Sequence, residues 1–307
     1  VLPDDSTAMP RGREANALKR LNRARIQPDA LGACPYGAQD LAEFTARAGF
    51  NHSLASGATT AGAIYSRKTS AFQLVRHSSS YRLSLEPEGL PEAVENQLLT
   101  TQLAKDAGLA VATVGRVDTA DGVPVLWAER FDRSGASNCQ RLSLESALQL
   151  LSQSSGGDCG ESLESIARLV RQYCTNPKVQ LMRLFQRVLF GWLTGNGNLH
   201  LSKWSLLQNG SIIELSPAYG LVNSAILGDK TPESALRIDG RHDGIEAEHL
   251  LEYYAKEVCG LNTRMVTRVM NQLDAVPWEQ RILESRLSKE CQRAYFELLS
   301  ERWRRLQ

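Results

Sequence analysis

The sequence predicts an α+β chain built as two lobes, a small β-rich one followed by a larger helical one. Two observations carry this. Up to about residue 135 the apolar pattern runs strand, strand, helix, strand, strand. From about residue 140 the period becomes helical, and after 215 strand patterns nearly vanish. The chain has 307 residues, enough for one bilobal domain or two ordinary ones.

Residues 1–30 form a polar N-terminal arm with Arg11, Arg13, Lys19, Arg20, Arg23 and Arg25. Glu14–Arg25 has the composition of a basic helix, and a solvated arm is its expected role. The first residue is Val, and the stretch before Met9 reads as an appended or processed end.

The small lobe is expected over 31–135. After Pro35-Tyr36, a short helix starts near Asp40 with Leu41, Phe44 and Ala48 on one face. Residues 51–63, rich in Ser, Gly, Ala and Thr, read as loop. Strands follow near Ala71–Arg76 and Tyr81–Leu85, joined as a hairpin by His77-Ser-Ser-Ser80. Pro91–Gly108 has helical spacing at Val94, Leu98, Leu99, Leu103 and Ala107, and Gly108 suits its end. Val111–Val117 and Val123–Phe131 alternate as strands around a turn at Asp118–Gly122.

The helical lobe is expected over 136–307. Ser143–Ser152 and Ser162–Tyr173 read as helices around a flexible loop, Ser154–Gly160. Lys178–Leu193 is a buried helix carrying Leu181, Leu184, Phe185, Val188, Leu189 and Trp192. A strand is expected at Ser211–Leu215, then helices at Glu246–Glu257, Thr263–Leu273 and Trp278–Leu306. The last presents Trp278, Ile282, Leu287, Cys291, Tyr295, Leu298 and Leu299 to the core and leaves Arg302-Trp-Arg-Arg305 as an exposed basic end.

Hydrophobic residues make up 42% and charged residues 22%, with a net charge of +1, so nothing requires nucleic acid or an anionic membrane as partner. No run approaches the roughly 18 apolar residues of a membrane span. The N-terminus shows no basic region followed by an apolar core, and a cytoplasmic location is expected. Of six cysteines the nearest pair, Cys159 and Cys174, lies 15 residues apart, which leaves no C-x-x-C motif and points to buried or incidental thiols.

The most informative stretch is Trp192-Leu-Thr-Gly-Asn-Gly-Asn-Leu-His-Leu-Ser-Lys-Trp-Ser-Leu-Leu207. It stands in order with Val94-Glu-Asn-Gln97, Ala104-Lys-Asp-Ala-Gly-Leu109, Glu129-Arg-Phe-Asp-Arg133, Leu215-Ser-Pro-Ala-Tyr219 and Ile238-Asp-Gly-Arg241. The set resembles the HipA family of bacterial serine/threonine kinases, toxins of HipBA-type toxin–antitoxin loci. The length is similar to the short HipT-like form. The resemblance implies a two-lobed HipA-like protein kinase fold with an ATP cleft between the lobes.

Phosphoryl transfer is mostly positioning and charge neutralisation, and the residues the resemblance assigns to it are replaced. Ser84 stands in the slot of the phosphate-anchoring lysine, and Gln97 in that of the glutamate which holds it. Asn198 takes the place of the catalytic Asp; it accepts a hydrogen bond but cannot take up a proton. Lys203 and Gly220 occupy the two metal-ligand positions, one now a cation and the other without a side chain, so no metal is expected. The phosphate loop aligns with Ile64–Ser70, including Lys68, with Ile64 at a Gly position. Arg82 is assigned to the opposite strand face from Ser84 and so excluded as a substitute.

His200 is retained, with loop support as its implied role, and Asn196 is expected to cap or turn the same loop. Glu129 and Phe131 match the linker whose backbone meets adenine in the family. The implied function is a pseudokinase acting by protein–protein contacts in a toxin–antitoxin-like or derived regulatory complex. Its partner would be a helix-turn-helix antitoxin-like protein, a separate small-subdomain protein or an active HipA paralogue, with DNA engaged only indirectly and no membrane. No cofactor is expected, although Lys203 leaves open ATP binding without metal. The alternatives are an atypical transferase using Lys203 or Lys68, and a DNA-associated scaffold subunit.

Overall fold

The structure is a computed structural model that describes residues 33–48, 59–134, 140–153, 161–228 and 231–307. The expectations for the arm at 1–30, for 51–58 and for the loop Ser154–Gly160 fall outside those residues.

The small lobe holds a five-stranded sheet in the order β2-β1-β3-β5-β4. Its strands are β1 Thr60–Ser66, β2 Ala71–Leu74, β3 Tyr81–Leu85, β4 Val114–Asp118 and β5 Pro124–Glu129. All neighbours are antiparallel. β1 corrects two expectations. The stretch read as loop to residue 63 becomes a strand from Thr60, and the hairpin expected between β2 and β3 is interrupted by it. Small residues are what this central position needs. A Cβ at Gly62 would lie 3.0 Å from the Val75 carbonyl oxygen and 3.1 Å from the Ser79 side chain. His77–Ser80 carries the chain past β1, and Ser80 donates its N–H to the Ala63 carbonyl (3.0 Å).

One sheet face builds the small-lobe core from Phe72, Leu83, Val117, Val125 and Trp127, covered by Cys34 and by Leu41 of helix α1, Ala38–Ala48. Trp127 meets Tyr81 edge to face at 6.0 Å. Its indole lies over Gly115, where a Cβ would approach to 2.3 Å. Helix α2, Ala93–Asp106, packs on the opposite face, where Glu95 pairs with Arg116 of β4 at 2.9 Å.

The linker passes through short strands β6 Arg133–Ser134 and β7 Gln140–Arg141 into the helical lobe. That lobe is organised on helix α5, Pro177–Leu193, whose Leu184, Phe185, Leu189, Phe190 and Leu193 are fully buried. Pro177 suits the first turn, where its missing N–H costs nothing. Helices α3 Ala147–Gln153, α4 Leu163–Tyr173, α6 Thr263–Asp274, α7 Trp278–Glu284 and α8 Lys289–Leu306 complete the bundle with a π-helix, Glu248–Val258.

Three local expectations change. Ser143–Ser146 is strand β8 rather than helix, because it pairs with β9, Ser205–Asn209, itself followed by β10, Ile212–Leu215. The single final helix breaks at 285–288, where the Ser288 hydroxyl accepts the Cys291 N–H and starts a new helix. The basic end is not exposed as a group. Arg302 is buried and donates to the Trp192 carbonyl, and Arg305 pairs with Glu233 at 2.6 Å, leaving Arg304 exposed.

The lobes are fastened through α2. The Asn96 amide donates to the Asn223 carbonyl (3.0 Å) and accepts the Asn223 N–H (2.7 Å). Thr100 reaches Tyr295 of α8 at 3.1 Å, and Arg281 of α7 pairs with Asp106 at 2.6 Å. Ala218 also bonds the strand-like Ala110–Ala112 segment from both its N–H and its carbonyl.

Candidate functional site

The residues that the resemblance assigns to the nucleotide cleft lie on β3, the linker after β5, the loop 194–204 and the segment 216–223. Helix α5 delivers the loop. Thr194 returns its hydroxyl to the Phe190 carbonyl at 2.9 Å, and Gly195 turns the chain with φ +66. Asn196 is buried beside Val222, and with its amide turned so that the nitrogen faces the Val222 carbonyl it meets both backbone groups of Val222, at 3.2 and 3.3 Å. Its own N–H donates to the Gly191 carbonyl at 2.9 Å, and Val222 belongs to the segment that carries Gly220.

Leu201–Lys203 forms one 3₁₀ turn, closed by Lys203 N–H on the His200 carbonyl at 2.8 Å. His200 meets this turn through its backbone carbonyl, and the residue is exposed. Asn198 is half-buried on the same loop. Beneath it the buried Arg187 donates to the Lys203 carbonyl at 2.7 Å and stacks over Trp204 at 4.5 Å. Burial pulls the Arg187 pKa down to about 10. Tyr219 closes the floor: its hydroxyl donates to the Ser202 carbonyl (2.9 Å) and lies 2.7 Å from the Ser205 hydroxyl.

The two residues assigned to metal positions touch. Gly220 has φ +63, and a Cβ there would lie 3.1 Å from the Lys203 Nζ. The ammonium thus stands where a carboxylate at 220 would have to project. This pair does not fit a divalent cation, which needs hard oxygen ligands and is repelled by an ammonium. Among the described residues no group of three or more His, Cys, Asp or Glu side chains is arranged to hold a metal. Burial lowers the Lys203 pKa, and the charge of Arg82 lowers it further.

That coupling to Arg82 overturns its expected place. Residues two apart on a strand share a face, and β3 shows it. Tyr81, Leu83 and Leu85 point to the small-lobe core, while Arg82 and Ser84 point away from it. Arg82 is accessible to solvent, yet enough protein surrounds it for desolvation to lower its pKa, followed by the charge of Arg130; Asp132 and Tyr219 act in the opposite direction. Arg82 thus stands exposed on the face of β3 that it shares with Ser84. Asp132 is already engaged by Arg130 (2.7 Å) and Arg133 (2.8 Å).

Ser84 lies 3.1 Å from the Thr60 hydroxyl, and Gln97 is half-buried on α2. Lys68 is exposed in the turn between β1 and β2, apart from the Arg82–Lys203 pair. Glu129 shares the face of its cross-strand partner Tyr81, opposite to Arg82, and donates its N–H to the Thr113 carbonyl at 2.8 Å. Phe131 leans on Tyr219, with ring centres 5.6 Å apart. The cleft therefore unites Arg82, Lys203, Gly220, Tyr219 and Phe131, whereas Lys68 and the Glu129 side chain lie elsewhere. Sequence reasoning missed Arg82, Arg187 and Asn96; only Arg82 carried a readable signal, its even spacing from Ser84.

The profile of the HipA-like C-terminal domain family matches residues 65–279. Two provisionally named kinases are similar to part of the chain. Y4mE of Sinorhizobium fredii (strain NBRC 101917 / NGR234) is 26% identical over 162 residues, 49% of this chain and 37% of its own length. A protein of Haemophilus influenzae (strain ATCC 51907 / DSM 11121 / KW20 / Rd) is 28% identical over 166 residues, 51% of this chain and 48% of its own length. The match thus spans less than half of either relative.

Among solved structures, the chain resembles Shewanella oneidensis MR-1 HipA, determined in complex with HipB and operator DNA. The TM-score is 0.67 at 22% identity, over 95% of this chain and 70% of the other. The Helicobacter pylori proinflammatory kinase CtkA matches with a TM-score of 0.54 at 14% identity, over 76% of this chain and 87% of the other. Both likenesses concern the fold.

Proposed function

The chain belongs to the HipA-like C-terminal domain family, and from that premise we propose that it is a pseudokinase, a kinase-shaped protein that acts by binding rather than by metal-dependent phosphoryl transfer. The observation that carries this reading is the Lys203 ammonium seated against Gly220. It fills a metal-ligand position with positive charge and leaves the other without a ligand atom. Ser84, Gln97 and Asn198 add to it: no ammonium at the usual anchor, no carboxylate to hold one, and no base beside the acceptor. If each loss removes about 2–3 kcal/mol of transition-state stabilisation, two or three already remove a factor of roughly 10⁴.

The frame is held by bonds independent of that chemistry, Asn96 to Asn223 and the Asn196 N–H to the Gly191 carbonyl among them. A retained shape with altered chemistry is what a binding role requires. The partner we propose is a protein: a helix-turn-helix antitoxin-like subunit, a separate small-subdomain protein or an active HipA-type paralogue. The similarity to a HipA solved with HipB and operator DNA supports this choice.

Incubation of purified protein with labelled ATP and Mg²⁺, alone and with a generic protein substrate, tests the reading. Label transfer at the level of an Asn198→Ala control is expected. Robust transfer that Asn198→Ala abolishes would overturn the proposal.

A further inference from the structure

We infer that the linker between the lobes carries a docking surface for an acidic segment of a partner protein, built from Arg82, Arg130, Arg133 and Arg141. The inference rests on the binding role proposed above and names the partner chemistry that this face would take.

The register sets the four arginines in sequence along the linker. Arg82 of β3 lies opposite Ala128 of β5. Two residues beyond Ala128, Arg130 donates its N–H to the Ser80 carbonyl at 2.8 Å and continues the ladder. Ser80 and Arg82 stand on one face of the chain, so Arg130 is the diagonal neighbour of Arg82, with backbones about 7–8 Å apart. The cross-strand neighbours of Arg82, Gly62 of β1 and Ala128, are small. Beyond Arg130 the linker enters β6, where Arg133 lies directly opposite Arg141 of β7. Like charges placed opposite one another on paired strands are destabilising, so this pairing works against the hairpin it belongs to.

The charge is not balanced from within. Among the described residues Asp132 is the only carboxylate paired with any of the four. It accepts Arg130 as a fork, Nε at 3.0 Å and Nη2 at 2.7 Å, together with Arg133 Nη1 at 2.8 Å. Arg82 and Arg141 are exposed and form no ion pair among the described residues. The residues between β6 and β7, Gly135-Ala-Ser-Asn-Cys139, include no carboxylate. Four guanidiniums against one carboxylate leave a local surplus of positive charge on a chain whose net charge is only +1.

Asp132 also shows the chemistry that this surface takes: a carboxylate held by a guanidinium fork and by a second guanidinium. Arg82 and Arg141 offer the same fork with no internal carboxylate to fill it. A partner segment bearing several Asp or Glu side chains matches that surplus. A nucleic acid fits it less well, since its phosphates call for a longer basic track than four arginines at one linker of a near-neutral chain. Ser84, Lys203 and Gly220 take no part in the surface.

Fluorescence anisotropy of labelled decaglutamate titrated with the full chain tests the surface, with decaglutamine and decathymidylate as the other probes. Saturable binding of decaglutamate is expected at about 50 mM salt and should weaken at about 300 mM, where screening shortens the reach of the charges. Arg82→Gln and Arg141→Gln should each weaken it about 3-fold and together about 10-fold, while Arg82→Lys and Arg141→Lys keep part of the affinity. Circular dichroism of each variant separates lost binding from lost fold. Absence of decaglutamate binding, equal binding of decaglutamine, or binding unchanged by the paired Gln substitutions, as the N-terminal arginines alone would give, overturns the surface. Tighter binding of decathymidylate that the same substitutions abolish overturns the choice of a protein partner. The transfer assay stands apart: label transfer that Asn198→Ala abolishes ends the pseudokinase reading, while the anisotropy titration judges the surface.

Discussion

Truncation of Asn96 tests whether the two lobes are held by the bonds that the structure assigns to them. Asn96 is fully buried and answers both backbone groups of Asn223, at 3.0 and 2.7 Å, while its oxygen also accepts the Thr100 hydroxyl at 3.3 Å. In Asn96→Ala the Asn223 N–H and carbonyl lose these partners inside the protein. Each orphaned buried group costs about 1–3 kcal/mol, so a loss of about 3–5 kcal/mol is expected, including the small void left behind. Against a total stability of about 5–15 kcal/mol that is a large fraction. Urea denaturation followed by circular dichroism reads it as a midpoint shift of about 1 M or more. Because the bond joins α2 to the segment after Gly220, the transition should also broaden or split as the lobes lose coupling. A midpoint within about 0.2 M of the parent protein, with an unchanged slope, would refute the assignment of Asn96 as the lobe fastener.

Two further outcomes follow from the same structure. Lys203→Met removes an ammonium disfavoured by burial and by Arg82, and should raise the ligand-free melting temperature by about 2–4 °C, equivalent to about 1 kcal/mol. The folded pKa of Lys203 is depressed, so the unfolded chain binds more protons between the two pKa values and the parent gains stability as pH rises there. The advantage of Lys203→Met should therefore be full below the folded pKa and shrink toward pH ~10.4; a constant or growing gain in scanning calorimetry refutes this. Gly115→Ala places a methyl where 2.3 Å separates it from the Trp127 ring. It should cost at least about 1–3 kcal/mol and diminish the near-ultraviolet signal of the aromatic cluster, and an unchanged spectrum and melting point would count against the packing described.

The fold was legible wherever periodicity and local chemistry agreed. α2, α4 and α5 carry unbroken helical spacing, and Ser162 caps α4 by accepting the Ser165 N–H. β1 was illegible because Thr60-Ala-Gly-Ala63 has the composition of a loop; it is a strand because small residues fit between two neighbours at the sheet centre. β8 was hidden because its partner β9 lies some 60 residues away, beyond any local pattern. At the end of the chain Arg302 and Arg305 looked solvated because their partners, Trp192 and Glu233, come from other parts of the large lobe.

The site was legible as replaced residues but not as an arrangement. By the resemblance, Lys203 and Gly220 read separately are two replaced ligands. In space they are one exchange, since the ammonium takes the volume that a side chain at 220 would claim, and φ +63 already favours glycine there. Restoring an Asp at 220 alone would thus meet a lysine rather than a metal. Restoring an oxygen ligand at 203 alone would leave its counterpart without a side chain. On the non-catalytic reading proposed above, each replacement makes reversal of the other unproductive. Arg82 fits this argument. It sits two residues from Ser84, on the same strand face, and its charge adds to the lowering of the Lys203 pKa.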